Sequence, residues 1–238
     1  PQYDAARVVV GCEVLLRWPH REGKMISPTT FIPIAEETGL IVPLGELVLR
    51  GAAKMIRQFE LSGKDISVSI NVSPRQFQES SFVERVRNIL WENGADAGRL
   101  IIEITEGVVV ADFDDARIKL EQLKALGVRL SVDDFGTGHS SLAYLKRLPL
   151  HELKIDRAFI KDLPHDSNDA ALVEAILAMS KHLQLEVVAE GVETNEQYMF
   201  LKRRGCHRFQ GYYFGHPQPA EDYFDCLKAA HSGKHKID

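Results

Sequence analysis

The sequence predicts an α/β fold, a (β/α)8 barrel of the TIM type, on three observations. Short apolar runs alternate along the chain with segments of helical periodicity. Runs such as Ile101-Ile102-Glu103-Ile104 and Glu186-Val187-Val188-Ala189 are nearly all apolar, as parallel strands covered on both faces are. Seven runs also end in, or carry near their end, a residue suited to metal or phosphate chemistry. They are VVVGCEVLLRW (Glu13, Arg17), ISVSINV (Asn71), LIIEITE (Glu103), RLSVDDFG (Asp133, Asp134), ELKID (Lys154), EVVAEGVE (Glu190) and RFQGYYF (Gln210). Charge on the tail of a buried strand is costly unless it is paired or metal-bound, so the pattern points to one shared site. An open doubly wound sheet uses mainly the strands beside its switch point, whereas a barrel brings every strand's C-terminal end to one mouth, and the ring of polar ends favours the barrel.

The intervening helices follow from spacing. Leu44 to Phe59 sets Leu47, Val48, Ala52, Met55, Ile56 and Phe59 on one stripe, and Phe82 to Trp91 turns Val83, Val86, Ile89 and Leu90 inward. Asp114 to Leu126 stops at Gly127, Asp169 to Leu183 forms the next helix, and Asn195 to Arg204 stops at Gly205.

At 238 residues and 45% hydrophobic content the chain can build one large core. A single domain is expected over residues 1–230, followed by a weakly structured tail at 231–238. The formal charge of -5 argues against a general polyanion-binding surface, so no DNA or RNA polymer is expected as a partner and any phosphate must be held by local cations. Cys12, Cys206 and Cys226 lack CxxC spacing and read as buried thiols of a reducing compartment, which suits a cytoplasmic module. No apolar run approaches the ~20 residues that span a bilayer. The opening Pro1-Gln2-Tyr3-Asp4 reads as a module cut from a longer protein.

Glu13, Glu103, Asp133, Asp134 and Glu190 would converge at the barrel mouth and repel one another there unless neutralised. With the neutral oxygen of Asn71 they offer hard ligands for two Mg²⁺ or Mn²⁺ ions, and adjacent Asp133-Asp134 could place one carboxylate between them. Two such ions about 3.5–4 Å apart are the usual apparatus for in-line displacement at phosphorus, so phosphodiester hydrolysis is the natural candidate. Local readings compete: Asn71 before Val72-Ser73-Pro74 could simply start a turn, and Gly136 and Gly138 suit an ordinary loop. Asp134-Phe135-Gly136 resembles the kinase magnesium motif, but the chain has neither an HRD loop nor a phosphate-binding glycine loop ahead of a VAIK-like strand.

The run Glu13-Val14-Leu15-Leu16-Arg17-Trp18 resembles the signature of EAL domains, bacterial phosphodiesterases that linearise cyclic di-GMP. The resemblance continues in order through SPTTFIPIAEETGLI, SINVSPRQF, IIEITE, SVDDFGTGHSSL, LKIDRAFI, VVAEGVET and FQGYYF. It implies a barrel whose first strand runs antiparallel to the rest. It further implies one metal on Glu13, Asn71, Glu103 and Asp133, and a second on Asp133, Asp134 and Glu190. Lys154 would position or activate the attacking water, and Glu190 would be either general base or ligand to the second ion. Arg17 would contact a phosphate, Glu193 a guanine edge, and Gln210 would lie in the substrate groove. The segment from Asp133 to Leu142 would be a loop coupling metal binding to homodimerisation, anchored by Glu106. An upstream GGDEF or sensor domain, and membrane tethering through other segments, are also implied for the full-length protein.

Departures from the family pattern are Val14 for Ala, His139 for Tyr and His216 for Arg or Lys, and both histidines read as loop or surface residues. The first strand is expected to be truncated to its tail, without the Gln that reaches the ligand. The alternative function is a catalytically weak or inactive cyclic di-GMP receptor, which would be expected to have lost metal ligands or the catalytic glutamate. A barrel glycosidase would leave Asn71, Lys154 and Asp133-Asp134 without a purpose.

Overall fold

The computed structural model describes residues 1–20, 23–136 and 145–224, except the side chains of 109–111. The eight barrel strands are β1 (Gln2–Asp4), β2 (Val9–Val14), β5 (Ser67–Asn71), β6 (Leu100–Thr105), β7 (Arg129–Phe135), β8 (Glu152–Ile155), β9 (Glu186–Ala189) and β10 (Arg208–Phe209). They close in the order β1-β10-β9-β8-β7-β6-β5-β2. A separate two-stranded hairpin, β3 (Trp18–Pro19) with β4 (Met25–Ile26), follows β2. The helices are α1 (Pro28–Thr38), α2 (Ile41–Leu61), α3 (Pro74–Gln78), α4 (Phe82–Asn93), α5 (Glu106–Ala111), α6 (Phe113–Ala125), α7 (Arg157–Ile160), α8 (Ser167–Leu183) and α9 (Asn195–Arg203).

The antiparallel opening strand is present, but it lies earlier than the run containing Glu13. β1 pairs antiparallel with both β10 and β2, while β2 runs parallel to β5. The segment Gln2–Asp4 is too short and too polar to stand out by pattern. It is fixed by tertiary contacts instead: Tyr3 stacks on Phe214 at 4.9 Å, and Tyr198 donates through its hydroxyl to the Ala5 carbonyl at 2.9 Å.

Two helix readings are corrected by packing. α2 begins at Ile41, and its buried stripe is Ile41, Gly45, Leu49, Ala52, Ala53, Ile56 and Phe59, so Leu47 points outward at 63% exposure. α1 escaped the pattern because it carries Pro28 and Pro33; Pro28 sits in the first turn, where its missing N–H costs nothing, and Phe31 and Ala35 anchor the helix. The other expected helices form within a few residues of their expected ends. The tail 231–238, Gly138, His139 and Cys226 lie outside the described residues. Cys12 and Cys206 are buried and free, and burial pushes each thiol up to about 12.

The continuous apolar core lies between the barrel wall and the helices, where Val68, Ile70, Ile102, Leu130, Leu153 and Val187 meet Ile56, Val86, Leu120 and Val173. Side chains alternate along a strand, so residues two before the polar ends share their face. Ile101 and Val188 are accordingly buried yet separate from that core, in the barrel interior with Ser69, Ser131 and Glu152. Apart from these two aliphatics, Ser69, Ser131 and Glu152 make this part of the interior polar where most such barrels stack bulky aliphatics.

Gly211 closes the wall beside Gln210. Its φ is 154°, and a Cβ would fall 2.2 Å from the Val192 carbonyl oxygen. Gly211→Ala is therefore expected to destabilise the fold by about 3 kcal/mol through overpacking, measured as a lower chemical-denaturation midpoint. A midpoint equal to wild type would show that β10 can move away freely.

Candidate active site

Lys154 occupies the centre of the mouth. It lies on β8, whose residues are all buried, and its side chain is 1% exposed. Its Nζ lies 2.6 Å from Glu190, 2.7 Å from Glu103, 3.4 Å from Asp133 and 3.7 Å from Glu13. Four carboxylates from separate barrel positions thus share one ammonium, because parallel strands end together at this face.

A β-bulge explains how two consecutive aspartates serve the same mouth. Val132 pairs with Leu153 and Phe135 with Ile155, so Asp133 and Asp134 together oppose the single residue Lys154. Asp134 takes the left-handed conformation at φ 55° and its N–H donates to Asp133 Oδ1 at 2.9 Å. Regular alternation would have sent one of the two carboxylates into the wall.

Glu13 is held from both sides. Asn71 donates through Nδ2 to one carboxylate oxygen at 2.6 Å, and Gln210 donates to the other. Gln2 in turn donates to the Gln210 amide oxygen at 3.1 Å. The turn after β5 is capped by Ser73, whose hydroxyl accepts from the Gln76 N–H at 3.1 Å. Asn71 is thereby free of the cap and bonds Glu13 instead.

The electrostatics follow from one cation among several acids. Burial opposes the Lys154 charge, but Glu103, Glu13, Glu190 and Asp133 outweigh it and raise the ammonium well above its usual pKa. Burial likewise opposes the Glu13 charge, yet Lys154, Gln210 and Asn71 hold that carboxyl below the ordinary range. Glu103 moves the other way, raised by burial and by the neighbouring acids. Burial raises Glu190 to about 7, with Asp133 and Glu13 adding to the effect against the pull of Lys154. Asp134 is pushed up to about 6 by burial, Asp133 and Asp156.

The outer residues sit less tightly. Glu106, at the start of α5, accepts the Gly136 N–H at 3.1 Å and so reaches the segment after β7. Glu193 is exposed and pairs with Arg157 at 2.6 Å. The Arg157 stem lies over Gly191, where a Cβ would fall 2.3 Å from Arg157 Cγ. Arg17 is exposed and donates to the Leu16 carbonyl, so no contact draws it into the cluster. His216 is exposed and packs on Tyr212 at 4.3 Å.

Three residues of the site escaped the sequence reading. Asp156 directly follows β8 and could have been found by the rule of polar strand ends; Gln2 and Arg157 carry no local signal. Among the described residues no three His, Cys, Asp or Glu side chains stand at metal-holding spacing. The acids are drawn onto Lys154 instead. The donor set is nonetheless all hard oxygen, and Glu103 Oε1 is buried without a protein partner, an atom suited to a divalent cation.

An α/β barrel with an antiparallel first strand and an acid-rich C-terminal mouth defines the class. The EAL domain family model matches residues 1–217, and the chain belongs to that family. Among curated relatives, "Bifunctional diguanylate cyclase/cyclic di-GMP phosphodiesterase MucR" of Pseudomonas aeruginosa is 50% identical over 214 residues, covering 90% of this chain and 31% of the relative. "Cyclic di-GMP phosphodiesterase NbdA" of the same organism is 43% identical over 218 residues, covering 91% and 28% respectively. The chain therefore spans about a third of the length of these relatives. Among solved structures, "PaMucR Phosphodiesterase, c-di-GMP complex" superposes with a TM-score of 0.91 at 48% identity, covering 94% of this chain and 91% of that one. "Structure of EAL Enzyme Bd1971 - cAMP and cyclic-di-GMP bound form" gives a TM-score of 0.90 at 32% identity, covering 95% and 63%.

In metal-free buffer, the folded chain holds a proton on Glu190 between the ordinary glutamate pKa and about 7, which the unfolded chain has released. This contribution to stability is full at low pH and is lost as pH rises through that window. Glu190→Gln is expected to flatten the corresponding fall in thermal midpoint between about pH 5 and about pH 8. An unchanged slope in the variant would assign the effect to another acid.

Proposed function

We propose that this domain hydrolyses cyclic di-GMP to linear pGpG in the cytoplasm, in a divalent-metal-dependent reaction. The observation that supports the reading is the Lys154 ammonium with Glu13, Glu103, Asp133 and Glu190 around it, Asn71 bonded to Glu13 and Asp134 adjoining Asp133. The phosphodiesterase names of MucR and NbdA and the cyclic di-GMP complex of PaMucR support the choice of substrate.

Glu13, Asn71, Glu103, Asp133, Asp134 and Glu190 would hold Mg²⁺ or Mn²⁺, with Asp133 common to two ions. Bound there, the metal would supply Lewis-acid activation of water and neutralise charge on the phosphoryl oxygens. Glu190 is placed to take the proton of the attacking water, a role that competes with ligating the second ion. The Lys154 ammonium, 2.6 Å from Glu190, orients that carboxylate and sets positive charge beside the phosphate. The new bond joins water oxygen to phosphorus, the P–O bond to one ribose oxygen breaks, and that oxygen takes up a proton. Gln210 would line the groove, Arg17 would meet a phosphate, and Glu193, steadied by Arg157, would accept from a guanine edge. Glu106 would anchor the segment after β7 through Gly136 in a homodimer. A diguanylate cyclase segment in the same polypeptide is proposed on the name of MucR alone.

No helix among the described residues is long and apolar enough to cross a membrane. Incubation with cyclic di-GMP and Mg²⁺ or Mn²⁺, followed by chromatography, is expected to yield pGpG, and EDTA to abolish it. Tight binding without product would replace the enzyme by a receptor. Glu13→Ala and Glu190→Gln are each expected to lower kcat by about a hundredfold or more while the circular dichroism spectrum stays native. A folded Glu190→Gln variant with normal turnover would remove the general-base role. Glu106→Ala is expected to shift the metal dependence and lower the dimer fraction, and no change in either would refute the anchor.

A further inference from the structure

Beneath the Lys154 cluster a second line of polar side chains crosses the barrel interior. Glu103 on β6 is in register with Ser131 on β7, and Ser131 is in register with Glu152 on β8. Their exposures are 1%, 0% and 0%. Ser131 Oγ and both Glu152 carboxylate oxygens are buried with no hydrogen-bond partner from the protein. Glu152 also lies two residues before Lys154 on the same strand face, so it stands directly below the catalytic ammonium. Among the described residues its ion-pair partner is Arg208, at 3.5 Å, which is itself drawn to Glu186 at 3.0 Å and to Ser67 Oγ at 3.4 Å. Arg129 holds the same Glu186 oxygen at 2.7 Å and completes a charged floor.

A buried carboxylate with neither oxygen hydrogen-bonded is rare, because the cost of stripping water from it is not recovered. The surroundings allow the remedy. Ser67, Ser69 and Ser131 put small side chains where bulky ones fill most barrels of this type. Buried water settles in polar sites where it finds two to four partners, and Ser131 Oγ and the two Glu152 oxygens offer three polar atoms to one.

We propose that bound water joins Ser131 Oγ to the Glu152 carboxylate inside the barrel, and that Ser131 and Glu152 are positioning residues for Glu103 and Lys154. Ser131 reaches the catalytic set through its backbone pairing with the Glu103 strand, and Glu152 reaches it through the two-residue step to Lys154. The column fixes the height at which the Glu103 carboxylate and the Lys154 ammonium meet. Replacing the water by a methyl group forces that layer apart. The kinetic consequence rests on the phosphodiesterase reading; the water site does not.

The test has two arms on the intact chain. A crystal structure at high resolution is expected to show water within about 3.2 Å of both Ser131 Oγ and a Glu152 oxygen. A dry interior, or direct pairing of Ser131 with Glu152, would overturn the proposal whatever the enzyme does. In the second arm, Ser131→Val is expected to lose that water, to weaken Mn²⁺ binding by calorimetry about tenfold, and to lower kcat for cyclic di-GMP by a similar factor with KM little changed. Ser131→Thr, which keeps the hydroxyl, is expected to restore both. Wild-type Mn²⁺ affinity in Ser131→Val would overturn the positioning role. A wild-type chain that holds the water and binds Mn²⁺ but releases no pGpG would refute the function and leave the water site standing.

Discussion

The Lys154 ammonium is the charge around which the mouth of this barrel is organised. Four carboxylates lie within 3.7 Å of it, two of them within 2.7 Å, and the ammonium itself is buried. Removing that cation would leave buried acids unpaired, at a cost of about 3–5 kcal/mol by analogy with other broken buried pairs. The same shortage of positive charge makes the cluster receptive to more of it. One ammonium cannot neutralise four acids, and burial together with the neighbouring acids raises Glu103 and Glu190 against the pull of Lys154. A protonated acid cluster and a metal-loaded one are two answers to one electrostatic problem.

That arrangement depends on a division of labour in the fold. The apolar core between wall and helices supplies the cohesion, with Ile102, Leu130, Leu153 and Val187 fully buried on the outward faces of the strands. The inward faces are thereby free to be polar. Serines, the floor of Arg129, Glu186, Arg208 and Glu152, and the layer of Lys154 and its acids above them occupy much of the space that aliphatic layers usually take. A polar interior of this kind can stand only because the outer core does not need it.

Much of the site was legible in the sequence because strand ends in a barrel share one destination. Once Glu13, Asn71, Glu103, Asp133, Lys154 and Glu190 were seen to follow apolar runs, convergence needed no knowledge of helix packing. Arg17 and Glu193 are different: they lie on exposed segments beyond the strand ends, and pattern fixes neither their direction nor their partners. Leu47 illustrates the same limit in a helix. Apolar residues spread beyond the face that the barrel covers, and packing turns Leu49 and Ala53 inward and leaves Leu47 in solvent. Gln2 and the β1 strand were invisible because three residues carry no periodicity.

The sequence by itself determined the alternation of strands and helices, the identity of the polar strand ends and so the family, since these reside in local composition and motif order. Tertiary structure alone decided that Asp133 and Asp134 share a face, because a bulge depends on how β7 meets β8. It also decided that Lys154 is the hub and that Ser131 and Glu152 stack beneath it. Register between strands distant in sequence sets which side chains touch, and no local pattern encodes a distance across a closed barrel.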